Sequence, residues 1–207
     1  MDIAIEIIGT LVGLLYIYLE YKASIYLWIA SIIMPAIYIY VYYQAGLYAD
    51  FGINIYYLVA AIYGWTTWKW GTEKSKNKNP DIPSEEVLPI THFPWRALPA
   101  VGFVFLGLFF LIATILIIYT DSDVPWPNSF TTALSIIGMW MLAKKYVEQW
   151  LVWIVVDAVC IGLYLYKDLY FTSALYALYT VIAFAGYKNW LSIMNPHSKT
   201  SINENGN

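Results

Sequence analysis

The stretch WLVWIVVDAVCIGLYLY, residues Trp150 to Tyr166, places one carboxylate inside a run that is otherwise soluble in lipid. The run has the length of a membrane-crossing helix, about 17 to 25 residues. It is bounded by polar residues, Glu148 and Gln149 before it and Lys167 and Asp168 after it. A charged side chain at mid-membrane costs about 2.5 to 3.5 kcal/mol even on insertion scales, so Asp157 needs a partner. Trp150, Trp153, Asp157 and Tyr164 lie at spacings of three, four and seven and therefore share one helix face. That face carries indoles beside a carboxylate.

The rest of the chain has the same character. Of 207 residues, 60% are hydrophobic and only 12% charged, and the mean hydropathy is +0.58. A soluble domain carries about twice that charge, so the chain is read as an integral membrane protein. The net charge of −3 gives nucleic acid no basic footprint. The single cysteine, Cys160, builds neither a disulfide framework nor a thiolate metal cluster. The N-terminal MDIAIEIIGTLVGLLYIYL lacks a basic leader and a small-residue cleavage site and is expected to remain as a membrane segment.

Seven apolar segments qualify as spans: Ile3 to Leu19, Ala23 to Tyr43, Leu47 to Trp70, Ala97 to Tyr119, Pro127 to Ala143, Gln149 to Tyr166 and Leu169 to Leu191. With seven crossings, ten of the eleven basic residues fall on one side and only Lys167 on the other. The positive-inside rule then puts the N-terminus outside and the C-terminus in the cytoplasm. The chain divides into a first three-helix bundle (1–70), a flexible cytoplasmic linker (71–96), a linking transmembrane helix (97–119), a second three-helix bundle (120–191) and a cytoplasmic tail (192–207). His92 and His197 fall in the linker and the tail as solvated loop histidines.

The two bundles repeat. A shift of 122 residues superposes Lys22 on Lys144, Trp28 on Trp150, Tyr57 on Tyr179, Gly64 on Gly186 and Trp68 on Trp190. Tryptophan and glycine matches in one register are not a product of composition. The repeat pairs the second and third spans with the sixth and seventh, and by extension the first with the fifth. One linking crossing makes the two units parallel repeats, a 3+1+3 arrangement, and repeat transporters place their substrate between the units near the midplane.

GLYADFGINIYYLVAAIYGWTTW (Gly46 to Trp68) and WLVWIVVDAVCIGLYLYKDLYFTSALYALYTVIAFAGY (Trp150 to Tyr187) resemble the Pnu family of vitamin transporters, in their LYAD, YGW and WxxWxxxD patterns. One branch of that family carries nicotinamide riboside and another thiamine. The resemblance implies a SWEET-like all-α membrane fold, a homotrimer, a place in the bacterial inner membrane, and facilitated diffusion of an unphosphorylated vitamin that a cytoplasmic kinase traps. In the nicotinamide riboside branch it implies a glutamine after the LYAD element where this chain has Asn54, which leaves the substrate within the family open.

Basic partners for Asp157 are scarce within the membrane, because Lys144, Lys145 and Lys167 sit at span ends and are expected to snorkel outward. Two readings of Asp157 follow. A cationic aromatic substrate stacked on Trp150 and Trp153 supplies the missing charge, or a protonated carboxyl bonds a tyrosine of a neighbouring helix. A second polar stripe, Asp50, Asn54 and Tyr57, lies on the third span, with Thr172, Tyr176 and Tyr179 at the corresponding positions of the seventh. Asn54, Tyr57, Tyr176 and Tyr179 suit a sugar's hydroxyls or an aminopyrimidine. Asp50, at the start of its helix, is explained equally by dipole stabilisation. Glu6 reads as a solvated head near the outer surface, and Pro35, the repeat counterpart of Asp157, as a kink.

The spans hold no histidine, no second cysteine and no GxxxxGK loop, which argues against an enzyme or a nucleotide-hydrolysing pump and calls for no cofactor and no metal. The expectation is a uniporter for a small cationic vitamin, nicotinamide riboside first, thiamine as the alternative, with a non-transporting membrane scaffold or receptor as a remote one.

Overall fold

The computed structural model describes residues 15–44, 48–76, 88–120 and 122–194. Glu6, most of the first expected span, the middle of the linker and the tail with His197 lie outside the described residues. The described chain is nearly all helical. α1 is helical over 15–21. It is followed by α2 (Tyr26–Gln44), α3 (Tyr48–Lys76), α4 (Leu98–Tyr119), α5 (Pro125–Ala143), α6 (Gln149–Tyr166) and α7 (Tyr170–Met194). Among the described residues there is no strand, only an isolated bridge between Thr91 and Tyr146. Two helical stretches, Trp95–Tyr119 and Gln149–Tyr166, are long and apolar enough by themselves to cross a bilayer. The others interleave polar residues and tyrosines with the apolar ones.

Three differences from the sequence expectation have local causes. α5 starts at Pro125, two residues before the expected Pro127, since proline fits a first helical turn whose N–H groups are unpaired anyway. Ser129 Oγ and Thr131 Oγ1 then donate to the carbonyls of Pro125 and Pro127. α3 runs past Trp70 to Lys76, so the linker begins as helix. The linker's far end is pinned: Glu148 accepts from His92 Nδ1 and from the Phe93 N–H, each at 2.7 Å, and Val147 N–H donates to the Thr91 carbonyl at 3.0 Å. His92, expected as a free loop histidine, is thus tied to the turn before α6.

The chain forms two compact units, residues 1–89 with 143–145, and residues 90–142 with 146–207. In the first, α2 lies on α3 with Leu27, Trp28, Ala61 and Trp68 fully buried. A Cβ on Gly64 would overlap the Trp28 ring, and that ring meets Trp68 edge-on at 5.5 Å and 87°. Lys145, expected to reach outward, is instead buried with Nζ 4.4 Å above the Trp68 ring, where the aromatic face replaces part of its hydration. In the second unit α4 meets α5 through Phe105–Phe130 and Phe109–Trp126, and Phe93, Ile137 and Met141 form a core beside Val152 of α6. α6 lies on α7 with Trp150 over Gly186, where a Cβ would come within 2.6 Å of the ring, and Trp150 meets Trp190 edge-on at 5.8 Å and 90°.

The two helix pairs therefore repeat one packing device, at the positions the 122 shift pairs. The preceding turns repeat as well. Ala23 and Lys145 are both left-handed, at φ 51 and 57. The Ser24 N–H reaches the Leu19 carbonyl at 2.9 Å, and the Tyr146 N–H reaches Met141 at 3.0 Å, the same helix-closing bond one repeat apart. Outward faces carry large apolar side chains such as Phe103 and Phe171, the latter 95% exposed, as a surface meant for lipid does.

Candidate functional site

The turn after α6 decides what Asp157 faces. Asp168 is left-handed, and the Leu169 N–H closes back onto the Tyr164 carbonyl at 2.9 Å, which ends α6 and returns α7 along it. Ser173 Oγ of α7 donates to the Ile161 carbonyl at 3.2 Å, holding the helices in register. Asp157, 6% exposed, lies one helical turn from Cys160 and within electrostatic reach of Tyr176 and Tyr179 of α7. Tyr164 stacks on Tyr176 at 5.1 Å and 26°, and Tyr176 meets Tyr179 at 5.8 Å. The carboxylate thus lies within electrostatic reach of two tyrosines of α7, one of which stacks on Tyr164.

It has no counter-charge there. Two ion pairs, His92–Glu148 and Lys167–Asp123, lie at helix ends, and neither involves Asp157. No hydroxyl among the described residues donates to Asp157; Tyr170, for example, donates to Asp168. Lys167, hydrogen-bonded at 2.8 Å, holds the exposed Asp123 carboxyl below the usual carboxylate range.

Trp153, half-buried, sits one turn before Asp157 with its ring against α5, where a Cβ on Gly138 would stand 3.3 Å away. Its indole N–H is buried without a hydrogen-bond partner. Trp150 behaves differently. Its ring is 3% exposed and taken up by Gly186 and Trp190, as Trp28 is by Gly64 and Trp68, so packing accounts for it. In the first unit Asn54 is half-buried, while Tyr57 is exposed beside Tyr56 at 5.6 Å. Asp50 lies in the first turn of α3, and its side chain is outside those described.

The structure therefore groups Trp153, Asp157, Tyr176 and Tyr179 of the expected set within one unit. It adds Tyr164, which the stripe contained but which was not assigned to the site. It also adds Gly138, whose only signal in the sequence is a helix-weakening residue in mid-span, a mark of close approach.

Helices with lipid-type outer faces and an unbalanced carboxylate near aromatic rings are features that fit a membrane transporter, with Asp157 as a candidate ligand residue. Residues 3–192 match the model of the NMN_transporter family, described as nicotinamide mononucleotide transporter. The chain belongs to that family; it is a vitamin transporter and not an enzyme. It is similar to the nicotinamide riboside transporter PnuC of Escherichia coli K12, 26% identical over 212 residues covering 91% of this chain and 85% of that one. It is also similar to the riboflavin/roseoflavin transporter RibM of Streptomyces davaonensis, 24% identical over 191 residues, 89% of this chain and 83% of that one. A crystal structure of the vitamin B3 transporter PnuC shares the fold, with a TM-score of 0.62 at 22% identity over 90% of this chain and 80% of that one.

Proposed function

We propose that the chain mediates facilitated diffusion of an unphosphorylated cationic vitamin, nicotinamide riboside in the first place, and that Asp157 is the counter-charge of its ring. One observation carries this reading: a buried carboxylate with no cation of its own beside Trp153 and the tyrosines of α7. A pyridinium over an indole face gains cation–π attraction, and the carboxylate gains the partner that the protein withholds. The likeness to a nicotinamide riboside transporter favours the unphosphorylated nucleoside over the mononucleotide. The likeness to PnuC supports nicotinamide riboside, and the family match supports a nicotinamide-type substrate. Thiamine also carries a cationic ring, and Asp157 does not separate the two.

The finer architecture belongs to the same proposal. The paired tryptophan–glycine devices and matched turns support two parallel three-helix repeats joined by α4, a SWEET-like 3+1+3 arrangement. Asn54, Tyr57 and Asp50 of the first repeat are candidate ligand residues, as are Tyr176 and Tyr179 of the second, and Pro35 is a candidate hinge. The distribution of basic residues favours an N-terminus outside and a C-terminus in the cytoplasm of a bacterial inner membrane. A homotrimer and a cytoplasmic kinase that phosphorylates and so retains the vitamin complete the picture. Calorimetric titration of the purified protein with nicotinamide riboside and thiamine tests it. Binding of at least one is expected, and binding of neither overturns the substrate class. In proteoliposomes exchange should be independent of pH gradient, sodium and nucleotide; uphill accumulation without a kinase would contradict uniport.

A further inference from the structure

The amide of Gln149 has no partner. It is fully buried, with neither Oε1 nor Nε2 hydrogen-bonded. A buried polar group left unpaired is costly, and proteins rarely keep one without a use for it. The internal repeat supplies the control. Its counterpart at the 122 shift is Leu27, also fully buried, and the two occupy the same backbone position. The Leu27 N–H donates to the Ser24 carbonyl and the Gln149 N–H to that of Tyr146, both at 3.2 Å. The fold accepts an apolar side chain at this place, so folding does not call for the amide.

Its neighbours say what the amide is for. Gln149, Trp153 and Asp157 follow one another at intervals of four along α6 and form a column. In the first repeat the column reads Leu27, Ser31 and Pro35, and the Ser31 hydroxyl is already satisfied by the Leu27 carbonyl at 2.9 Å. The α6 column is different: an unpartnered amide, an unpartnered indole N–H and a carboxylate with no cation. An unpaired indole N–H alone marks nothing, since Trp28 and Trp150 share it while packed on glycine. The amide is the informative member. It is one donor and one acceptor side by side, the complement of two neighbouring hydroxyls, one accepting from Nε2 and the other donating to Oε1. At 1.5 Å per residue the column from Gln149 to Asp157 is about 12 Å long, enough for a ring at one end and a sugar at the other.

We infer that Gln149 is a specificity residue that binds the vicinal hydroxyls of the substrate, and that the substrate lies along α6 with its cationic ring at Asp157 and its sugar toward the α5–α6 turn. This rests on the reading of Asp157 and Trp153 above and adds the orientation of the ligand and the recognition of its hydroxylated part.

The test compares nicotinamide riboside with 1-methylnicotinamide, which keeps the cationic ring and lacks the ribose, on the full-length protein by calorimetry and thermal melting. Gln149→Leu, the residue of the other repeat, should fold and melt no lower than the wild type. It should lose about five- to thirtyfold in affinity for nicotinamide riboside, the worth of one or two neutral hydrogen bonds. Its affinity for 1-methylnicotinamide should not change, so the ratio between the two ligands collapses. Gln149→Met, closer in length, should reproduce this and stands in if the leucine variant does not fold. An unchanged ratio in a folded variant overturns the inference. So does a variant that melts lower and loses both ligands alike, since the amide is then a packing element. Failure of both nicotinamide cations to bind the wild type while thiamine binds overturns the sugar role of Gln149 and leaves Asp157 standing, whereas failure of all three cations counts against Asp157 itself.

Discussion

Gly186→Ala probes the contact on which the second unit turns. A methyl group at that position would lie within 2.6 to 2.7 Å of three atoms of the Trp150 ring. Carbon atoms rest at about 3.5 to 4.0 Å, so the overlap is about 1 Å. The ring cannot swing aside, because Trp190 meets it at 90° and both indoles are buried. α6 and α7 must separate or the indole must leave its rotamer, and overpacking of this kind costs about 1 to 3 kcal/mol. In a chain of this length each kcal/mol lowers the melting temperature by about 2 to 4 °C. Thermal melting of the detergent-purified protein should therefore show a loss of several degrees. Trp150→Phe removes the part of the ring that clashes, so Gly186→Ala combined with Trp150→Phe should melt above the sum of the two single losses, with coupling of about 0.5 to 3 kcal/mol. Gly64→Ala with Trp28→Phe should behave alike. Additive losses, or a neutral Gly186→Ala, would refute the argument that the glycines exist to seat the tryptophans.

Other consequences follow from single contacts. Ala23→Gly should raise the melting temperature slightly, because glycine carries no left-handed penalty, whereas Lys145→Gly at the matching position should lower it through loss of the buried Trp68 contact. Glu148→Gln should loosen the segment before α4, read as at least a fivefold faster exchange of the Phe93 amide proton, since a charged hydrogen bond of about 1.5 to 3 kcal/mol becomes a neutral one. The Lys167–Asp123 pair should matter only while Asp123 is ionised. Its carboxyl is held below 3.8, chiefly by the hydrogen bond from Lys167, so its contribution is present above that value and lost as pH falls through the lowered one. The small melting difference between the wild type and Lys167→Gln should accordingly shrink as pH falls through that lowered value and vanish once Asp123 is protonated in both states. Trp153→Phe should weaken the vitamin less than Asp157→Asn, because phenylalanine keeps a weaker ring face.

Helices were legible wherever an apolar run was bounded by charge. α6 falls on its expected limits, Gln149 and Tyr166, because Glu148 and Lys167 flank it. Less legible were places where side chains turn back on the chain. Lys145 looks like any lysine at a span end, and its place over the Trp68 ring emerges only in the fold. The role of Trp150 was hidden because helical spacing gives the face of a residue and not the depth of its neighbour, and Gly186 lies 36 residues away. His92 reads as a loop residue until Glu148 is brought to it by the turn between α5 and α6. Gln149 could have been noticed from the repeat alone, as the polar residue opposite Leu27, yet its burial could not.

The claim at the centre is that Asp157 is reserved for the charge of the ligand. The measurement that meets it directly is calorimetric binding of nicotinamide riboside and of its neutral, ring-reduced form to the wild type and to Asp157→Asn. The variant should keep its fold, since a neutral amide is less costly to bury than a carboxylate. The cation should lose about tenfold to a hundredfold in affinity, the equivalent of about 1.5 to 3 kcal/mol from a charged contact. The neutral form should bind the wild type weakly and be indifferent to the substitution. If the two ligands respond equally to Asp157→Asn, the carboxylate is structural and the account of the site is wrong.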